Sequence, residues 1–593
     1  MPRPSLIWLE PEPGPPDRPA LHRDPLLDAL LARRGIADEA AAVDFLDAGT
    51  RPAPDPFGLP NMGAAAARVG RALATGEPIA VHGDYDADGV TATALLVRAL
   101  RRAAVAPRHV VPHLPTRADG YGLRPEAVNA LADDGANLLI AVDCGSGDHA
   151  NVALARERGL DVVILDHHQM GDRGPDGAIV VSAQLDPDPA NPYRELAAVG
   201  VAYLLAVALA RNGCRVGDEA AGTEPVDLLD LVALGTIGDV SPLVRLNRAL
   251  VRDGLGRIRT RPRAGVRALC QRAGVDPRTL TSEQVAFKLA PRVNAAGRMG
   301  DPRLALDLLL TDDPVAAARL AVELERLNAL RKAEGQRVVA EAEALLRDRV
   351  DLDDRRLLVV AGGGWRGGVL GLAAGRLAER FGRPVIVLND DGELSRGSAR
   401  SVPGFDITRA LAGCGGLLRS HGGHGQAAGL TVSSADVASL EAALEAAIAA
   451  TDLPPPGPPA LRIDADLPAE RLTPRTAEAL EALQPYGAGN PPPLLRVRGV
   501  GLHSYNTIGQ DGSHLKLHLR TSAGPVQAVS WGTAARSRDL IRLPDLDLVV
   551  TVGIDHWNGR ARLAVEAKDF AEAGGGGGEK AVGGRRQAAG GRR

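Results

Sequence analysis

Between residues 78 and 181, short apolar runs alternate with helical patterns, and this alternation restricts the possible fold more than any other feature of the chain. Pro78-Ile79-Ala80-Val81, His109-Val110-Val111, Leu138 to Val142, Val162 to Leu165 and Ile179-Val180-Val181 read as strands. Helical spacing fills the intervals at Val90 to Leu100, at Pro125 to Ala132 and from about His149. Strands that are apolar on both faces and separated by helices build a parallel sheet covered on both sides. Such sheets bind ligands at the carboxyl ends of their strands. Asp86 and Asp88 follow the first run, Asp143 the third and Asp166-His167-His168 the fourth. Packing alone does not account for acids and histidines after three strands of one sheet.

The corner Val81-His82-Gly83-Asp84-Tyr85-Asp86-Ala87-Asp88-Gly89 sets three carboxylates at alternate positions, with a helix expected after Gly89. Crowded carboxylates repel one another, and divalent cations relieve the repulsion. A single Asp in a loop is more often a turn former or a helix cap. A calcium loop also spaces acids this way, but it needs an acid six residues after the Gly, where this chain has Leu95.

A chain of 593 residues holds roughly three to five domains. A net charge of −4 excludes a uniformly basic coat protein and leaves room for a local basic groove. Lysine is confined to Lys288, Lys332, Lys516, Lys568 and Lys580, so arginine carries nearly all the positive charge. Cys144, Cys214, Cys270 and Cys414 form no C-x-x-C pair, which argues against a zinc site or a disulfide scaffold. The N-terminus lacks a signal pattern, and the longest apolar run, Ala197 to Ala210, is too short for a bilayer. A cytoplasmic protein with no membrane partner is expected.

Residues 1–60 are Pro-rich and broken, with a short helix at Leu26 to Leu31 and a linker from Pro52 to Pro60. Ala64 to Ala74 is a helix, as are Leu196 to Arg211 and Val226 to Leu234, the last leading to Asp239. Ala290 to Arg298, with Arg292, Asn294 and Arg298, reads as a polar, basic loop. Pro314 to about Val350 reads as a long connecting helix with an apolar stripe at Leu320, Leu324, Leu327 and Leu330. A second α/β unit follows. Its strands are Leu357 to Val360 and Val385 to Leu388, and its polar loops are Gly362 to Arg366, Ser398 to Ser401 and His421 to Gly425. After a linker at Thr451 to Pro459 the pattern becomes strand-like; His514 to Arg520 alternates by two, and a small closed barrel of the oligonucleotide-binding (OB) kind is expected. Gly574 to Arg593 reads as a disordered tail. The expected division is 1–60, an extension; 61–310, a catalytic domain; 311–350, the connecting helix; 351–452, the second α/β domain; 460–572, the barrel; and 573–593, the tail.

Four segments, in order, resemble the motifs of the DHH phosphoesterase superfamily. They are His82-Gly83-Asp84-Tyr85-Asp86-Ala87-Asp88-Gly89, Asp143 in Val142-Asp143-Cys144-Gly145, Asp166-His167-His168, and Asp239 in Gly238-Asp239-Val240-Ser241-Pro242. Ser420-His421-Gly422-Gly423-His424 is similar to the signature of the DHH-associated domain. Arg292 to Arg298, Ser398 to Phe405 and Gln484 to Asn490 are similar to segments of the RecJ exonuclease family. The likeness spans about residues 70 to 570. Arg366 follows Trp365 where many members carry His.

The resemblance implies an α/β fold: a parallel-sheet DHH domain joined by a long helix to a DHH-associated domain, then the barrel. It implies a 5′→3′ exonuclease that releases 5′-mononucleotides from single-stranded DNA in repair and recombination. Two ions, Mn²⁺ or Mg²⁺, would be held by Asp86 and Asp88 with Asp143 bridging, and His167 and Asp239 would complete the second site. His82 would either join the first ion or stand behind it. Asp84 and Asp166 would orient ligands, and His168 would meet the scissile phosphate or protonate the leaving oxygen. Arg117, Arg298, Ser398 and Arg400 are candidates for the 5′-phosphate, and Arg292, Asn294, His421 and His424 for the substrate. Tyr121 either stacks on a base or packs. A helicase and a single-strand-binding protein are implied partners of a monomer. Two other readings remain: a phosphoesterase for short oligonucleotides or cyclic dinucleotides, whose relatives usually lack the barrel, and a non-catalytic replication scaffold, which predicts eroded ligands.

Overall fold

A computed structural model of the protein describes residues 6–11, 18–46, 54–171, 173–218, 220–347, 355–451, 460–509, 511–557 and 560–574. The tail from 575, the linker residues 452–459 and 51–53, and the end of the connecting helix from 348 lie outside them. The chain forms two units: Gly49–Pro456 with Pro485–Asn490, and Met1–Ala48 with Gly457–Gln484 and Pro491–Arg593.

The first unit begins with a five-stranded sheet in the order Val110–His113, Ile79–Gly83, Leu138–Val142, Asp161–Leu165, Ala178–Val181, all parallel. Ile79, Val81, Ile140, Val142, Val163 and Leu165 face one core with helices Met62–Thr75, Ala87–Ala103 and Ala198–Arg211. Ala80, Leu139, Ala141, Val162 and Ile164 face the other, with Pro125–Asp133 and His149–Glu157. Both faces are buried, so these strands carry no polar alternation. The helix after the acidic corner starts at Ala87, three residues before the periodicity suggests, with Asp86 as its cap: the Asp86 carboxylate accepts from Asp88 N–H (2.9 Å) and Gly89 N–H (3.1 Å). A Cβ at Gly89 would lie 2.6 Å from the Asp84 main chain, so only glycine lets the corner close this tightly.

Three segments expected as loops are regular structure. Ala290–Met299 is a helix that follows a π-helical turn, Val285–Leu289. Pro291 lies in its first turn, where a missing N–H costs nothing, and Val293 and Ala296 are fully buried. Ser398 and Arg400 lie in strand Leu394–Arg400, and His421 and His424 in edge strand Leu418–His424. These strands build a second sheet, in the order Leu418–His424, Ala427–Ser433, Leu394–Arg400, Val385–Asp390, Leu358–Gly362. Cross-strand pairing overrides their weak β propensity; the edge strand is exposed along nearly all its length, so no apolar period marks it.

The connecting helix, Pro314–Arg347, buries Leu324 and Leu327 as expected, while Leu320 and Leu330 stay half-buried. Ala317, Ala321 and Gly335 are buried on its contact face.

In the second unit, Leu495–Ile508, His514–Thr521, Gly524–Ser530, Asp545–Trp557 and Arg560–Glu572 form the barrel, closed by Leu495–Ile508 pairing with Asp545–Trp557. The N-terminal segment does not stand apart as an extension. Ile7–Leu9 pairs in parallel with Ala460–Arg462, and Trp8 Nε1 donates to Asp569 (2.7 Å). A three-residue strand with a partner some 450 positions away has no local signature.

Arg496, 2% exposed, donates to both Glu10 and Asp466 at 2.6 to 2.9 Å. Its hydrogen bonds hold both carboxyls below their usual range. Carboxylates lowered in the folded state add stability above their unfolded pKa, and this is lost as pH falls through the folded values. Arg496→Met should cost about 1–2 kcal/mol near pH 7, a modest figure because both acids are half-exposed. Calorimetry should show the gap to wild type narrowing as pH falls below about 4; a gap constant from pH 7 to 3 would contradict the assignment.

Candidate active site

Three loops at the carboxyl edge of the parallel sheet, together with the end of helix Leu229–Gly238, bring the acids and histidines together. Asp88, fully buried, accepts from Ala198 N–H (2.7 Å) and Val199 N–H (2.9 Å), and so caps a helix whose own cap residue, Ala197, has no side-chain acceptor. Asp143 follows its strand with φ 64, a left-handed conformation that costs a non-glycine residue about 1–3 kcal/mol. Its N–H donates to Leu165 O (3.0 Å) and its carbonyl accepts from the Tyr121 hydroxyl (3.1 Å). Asp166 Oδ1 accepts from the His167 N–H (2.8 Å), the His168 N–H (3.2 Å) and His168 Nδ1 (2.8 Å), and Oδ2 accepts from Ser146 N–H (3.3 Å). Asp239 caps the C-terminus of helix Leu229–Gly238 and accepts from the Ser241 hydroxyl (2.5 Å). Ala488 O accepts from Leu243 N–H (2.7 Å), so the loop Pro485–Asn490 supports the segment just after Asp239.

Three sets of ligand atoms each lie within 4.8 Å of one another: Asp84, Asp86, Asp143; Asp88, His167, Asp239; and Asp143, His167, His168. Shared members make one continuous centre. Asp84 Oδ1, Asp143 Oδ1 and His167 Nε2 are buried without a hydrogen-bond partner, and the last two are 3.3 Å apart. Burial, then repulsion from Asp86, raises the Asp84 carboxyl to about 8. Burial, then Asp239 and Asp86, raises Asp88; burial, then Asp88, Asp86 and Asp84, raises Asp143. Burial holds His167 neutral against its acidic neighbours. Orphaned donors and destabilised carboxylates fit divalent cations, and an oxygen–imidazole set without thiolate suits Mn²⁺ or Mg²⁺.

Asp84 thus joins the donor atoms, where the sequence places it behind them. His82 does not. It sits inside strand Ile79–Gly83, Nδ1 to Nδ1 with His113 at 2.8 Å, rings stacked at 4.9 Å. Burial and His113 push its pKa down to about 3. Burial also opposes charge on His168, but the hydrogen bond and charge of Asp166 outweigh it and lift the ring to about 9.

Arginines gather beside the acids. The Arg117 guanidinium lies 4.3 Å over the Tyr85 ring, and its buried Nε has no hydrogen-bond partner. Arg298 donates to Gly368 O (3.1 Å). Burial, then the charges of Arg117, Arg331 and Arg400 working against Asp86, lowers Arg298 to about 10. Ser398 and Arg400 face helix Gly367–Phe381, where a Cβ at Gly371 would lie 2.9 Å from Arg400 Nη2 and 3.5 Å from Ser398 Oγ. His424 is lowered by burial and by Arg400, and it also feels His168 and Asp239. His421 is exposed on the edge strand.

Two candidates support the site from behind. Arg292 donates to Glu325 (2.5 Å) and to the Lys288 carbonyl, tying its helix to the connecting helix; Asn294 Oδ1 accepts from Ala87 N–H (2.9 Å) at the acidic corner. Arg331, held by Asn328 Oδ1 (2.9 and 3.2 Å), escaped the sequence reading because a charge on a long helix looks like a solvated face.

Comparison with known proteins identifies the domains that carry most of these residues. Family models match for the DHH family N-terminal domain over residues 78–236, the DHHA1 domain over 354–451 and the RecJ OB domain over 463–569. The single-stranded-DNA-specific exonuclease RecJ of Salmonella typhimurium is 35% identical over 564 residues, 92% of this chain and 96% of that protein. Its namesake in Bacillus subtilis is 34% identical over 554 residues, 93% of this chain and 68% of that protein. The crystal structure of RecJ in complex with Mn²⁺ from Thermus thermophilus superposes with a TM-score of 0.77 at 34% identity, over 93% of this chain and 76% of that one. Three domains in the same order, and this identity over nearly the whole length, establish that the chain belongs to the RecJ family.

Proposed function

We infer that this chain is a metal-dependent exonuclease that hydrolyses phosphodiester bonds of single-stranded DNA from the 5′ end and releases 5′-mononucleotides in repair and recombination. The observation that carries this is the contiguity of the two charge clusters: the acidic centre meets the arginines where Asp86 acts on Arg298 and Asp84 on Arg117. Asp84, Asp86 and Asp143 would hold one ion and Asp88, His167 and Asp239 the other, with Asp143 Oδ1 only 3.3 Å from the His167 Nε2 of the second set. When bound, Mn²⁺ or Mg²⁺ shields phosphate charge and makes water nucleophilic near neutral pH.

The chain's own residues do the rest. Arg117, Arg298, Arg400 and Ser398 hold the terminal 5′-phosphate, which fixes the cut one nucleotide from the end. Water attacks the next phosphorus, and the bond from that phosphorus to O3′ of the terminal nucleotide breaks. His168, protonated at neutral pH, neutralises the phosphate or hands its proton to the departing O3′. The exposed ring of Tyr121 is free to stack on a base. The DHH domain is taken as 61–310, the DHH-associated domain as 351–452 and the barrel as 460–572, with the helix at 311–350 between the first two. No helix among the described residues is long and apolar enough to cross a membrane. A cytoplasmic monomer that works with a helicase and a single-strand-binding protein completes the proposal.

Long single strands labelled at either end, digested with Mn²⁺, test it. The 5′ label should appear as mononucleotide from the first turnover, while the 3′-labelled strand shortens gradually. Release of the 3′ label first would reverse the polarity. Digestion confined to oligonucleotides of a few residues would favour the short-substrate reading.

A further inference from the structure

We propose that the Tyr121 hydroxyl is a positioning group for His168, acting on its Nδ1 and through the main chain of Asp143. The proposal rests on the reading of His168 as the residue that meets the scissile phosphate. A hydroxyl has one hydrogen to give and two lone pairs. The Asp143 carbonyl can only accept, so the hydrogen goes there, across 3.1 Å. The lone pairs are left facing His168 Nδ1 at 3.2 Å. Asp166 Oδ1, also an acceptor, is 2.8 Å from the same nitrogen. Two acceptors around one ring nitrogen place the hydrogen on Nδ1 and leave Nε2 as the nitrogen offered to the substrate. The Tyr121 ring meets the His168 ring edge-on, centroids 5.6 Å apart, and limits its rotation.

The same hydroxyl supports Asp143 at its strained turn. The left-handed backbone there is held on one side by its N–H to Leu165 O and on the other by Tyr121. One phenol therefore joins the ends of strands Leu138–Val142 and Asp161–Leu165. Tyr121 itself is placed by Gly120 (φ +92) and Gly122 (φ +86), conformations open mainly to glycine. The Asp148 carboxylate then accepts from Leu123 N–H (2.7 Å) and anchors the far side of the loop. The ring remains 42% exposed, so its face and its hydroxyl serve separate ends.

Tyr121→Phe keeps the ring and removes only the hydroxyl. In the full-length protein with Mn²⁺ and single-stranded DNA, kcat should fall about 10- to 100-fold, as for other groups that orient a site from behind, with KM within about twofold. In a His168→Ala background, measured at single turnover, the same substitution should cost much less, leaving only the part that acts through the Asp143 main chain. An unchanged kcat in Tyr121→Phe, or an equal loss in both backgrounds, would overturn the proposal. An unimpaired His168→Ala single variant would instead overturn the reading of His168 on which it rests.

Discussion

Asp143→Asn should reduce turnover about 10³-fold while making the metal-free protein more stable. The side chain belongs to two of the three donor sets, and its Oδ1 is buried with no hydrogen-bond partner, 3.3 Å from His167 Nε2. Asparagine tolerates the left-handed backbone at this position, so the turn survives and only the charge is lost. Losing a shared ligand removes several kcal/mol of transition-state stabilisation, and about 4 kcal/mol corresponds to about 10³-fold. The stability effect has the opposite sign. Burial and the charges of Asp88, Asp86 and Asp84 raise the Asp143 pKa, so its ionisation opposes folding wherever the unfolded carboxyl is charged. Neutralising it should therefore raise the melting temperature at pH 7, and the gain should shrink as pH falls through the ordinary carboxylate range. Calorimetric Mn²⁺ titration, melting curves with and without metal, and single-turnover rates check the three parts. Activity within tenfold of wild type would remove Asp143 from the metal centre.

Arg400→Gln should sharply weaken discrimination between phosphorylated and unphosphorylated 5′ ends. Arg400 lies beside Ser398 and adds to the positive field that lowers Arg298. Like charges held this close want an anion, and a terminal phosphate supplies two charges in a geometry that guanidinium forks match. A hydrogen bond to a charged group is worth about 1.5–3 kcal/mol, or roughly 10- to 10²-fold in kcat/KM on a 5′-phosphorylated strand. A 5′-hydroxyl strand should lose little. Each cut leaves a new 5′-phosphate, so the variant should also remove fewer nucleotides per binding event. An unchanged preference for the phosphorylated strand would place the end-binding site elsewhere.

The legible part of this protein is the part written by local rules. Buried parallel strands are continuous apolar runs, helices keep their period, and acids placed directly after such strands must sit at one edge of the sheet. Asp86, Asp88, Asp143 and His167 could therefore be brought together from the pattern alone, as could the alternating barrel strand His514–Thr521, whereas Asp239, at the end of a helix, joined them only through the family resemblance. What the order of residues did not reveal depends on partners far along the chain. Asp84 turns inward to Asp86 and Asp143, while His82 turns to His113 one strand over. Arg292 is tied to Glu325 on another helix, and Asn294 Oδ1 accepts from Ala87 N–H at the corner, links that join segments far apart in the chain. Ser398 and Arg400 lie in a strand because neighbouring strands supply its hydrogen bonds, not because its own residues favour one. Ile7–Leu9 is a strand only against Ala460–Arg462. By itself the sequence determined which chemistry gathers at the edge of the sheet, since pattern and period are local quantities. Only the tertiary structure decided which way each side chain faces and which group satisfies it, since buried polar atoms take their partners from whatever the fold brings within reach.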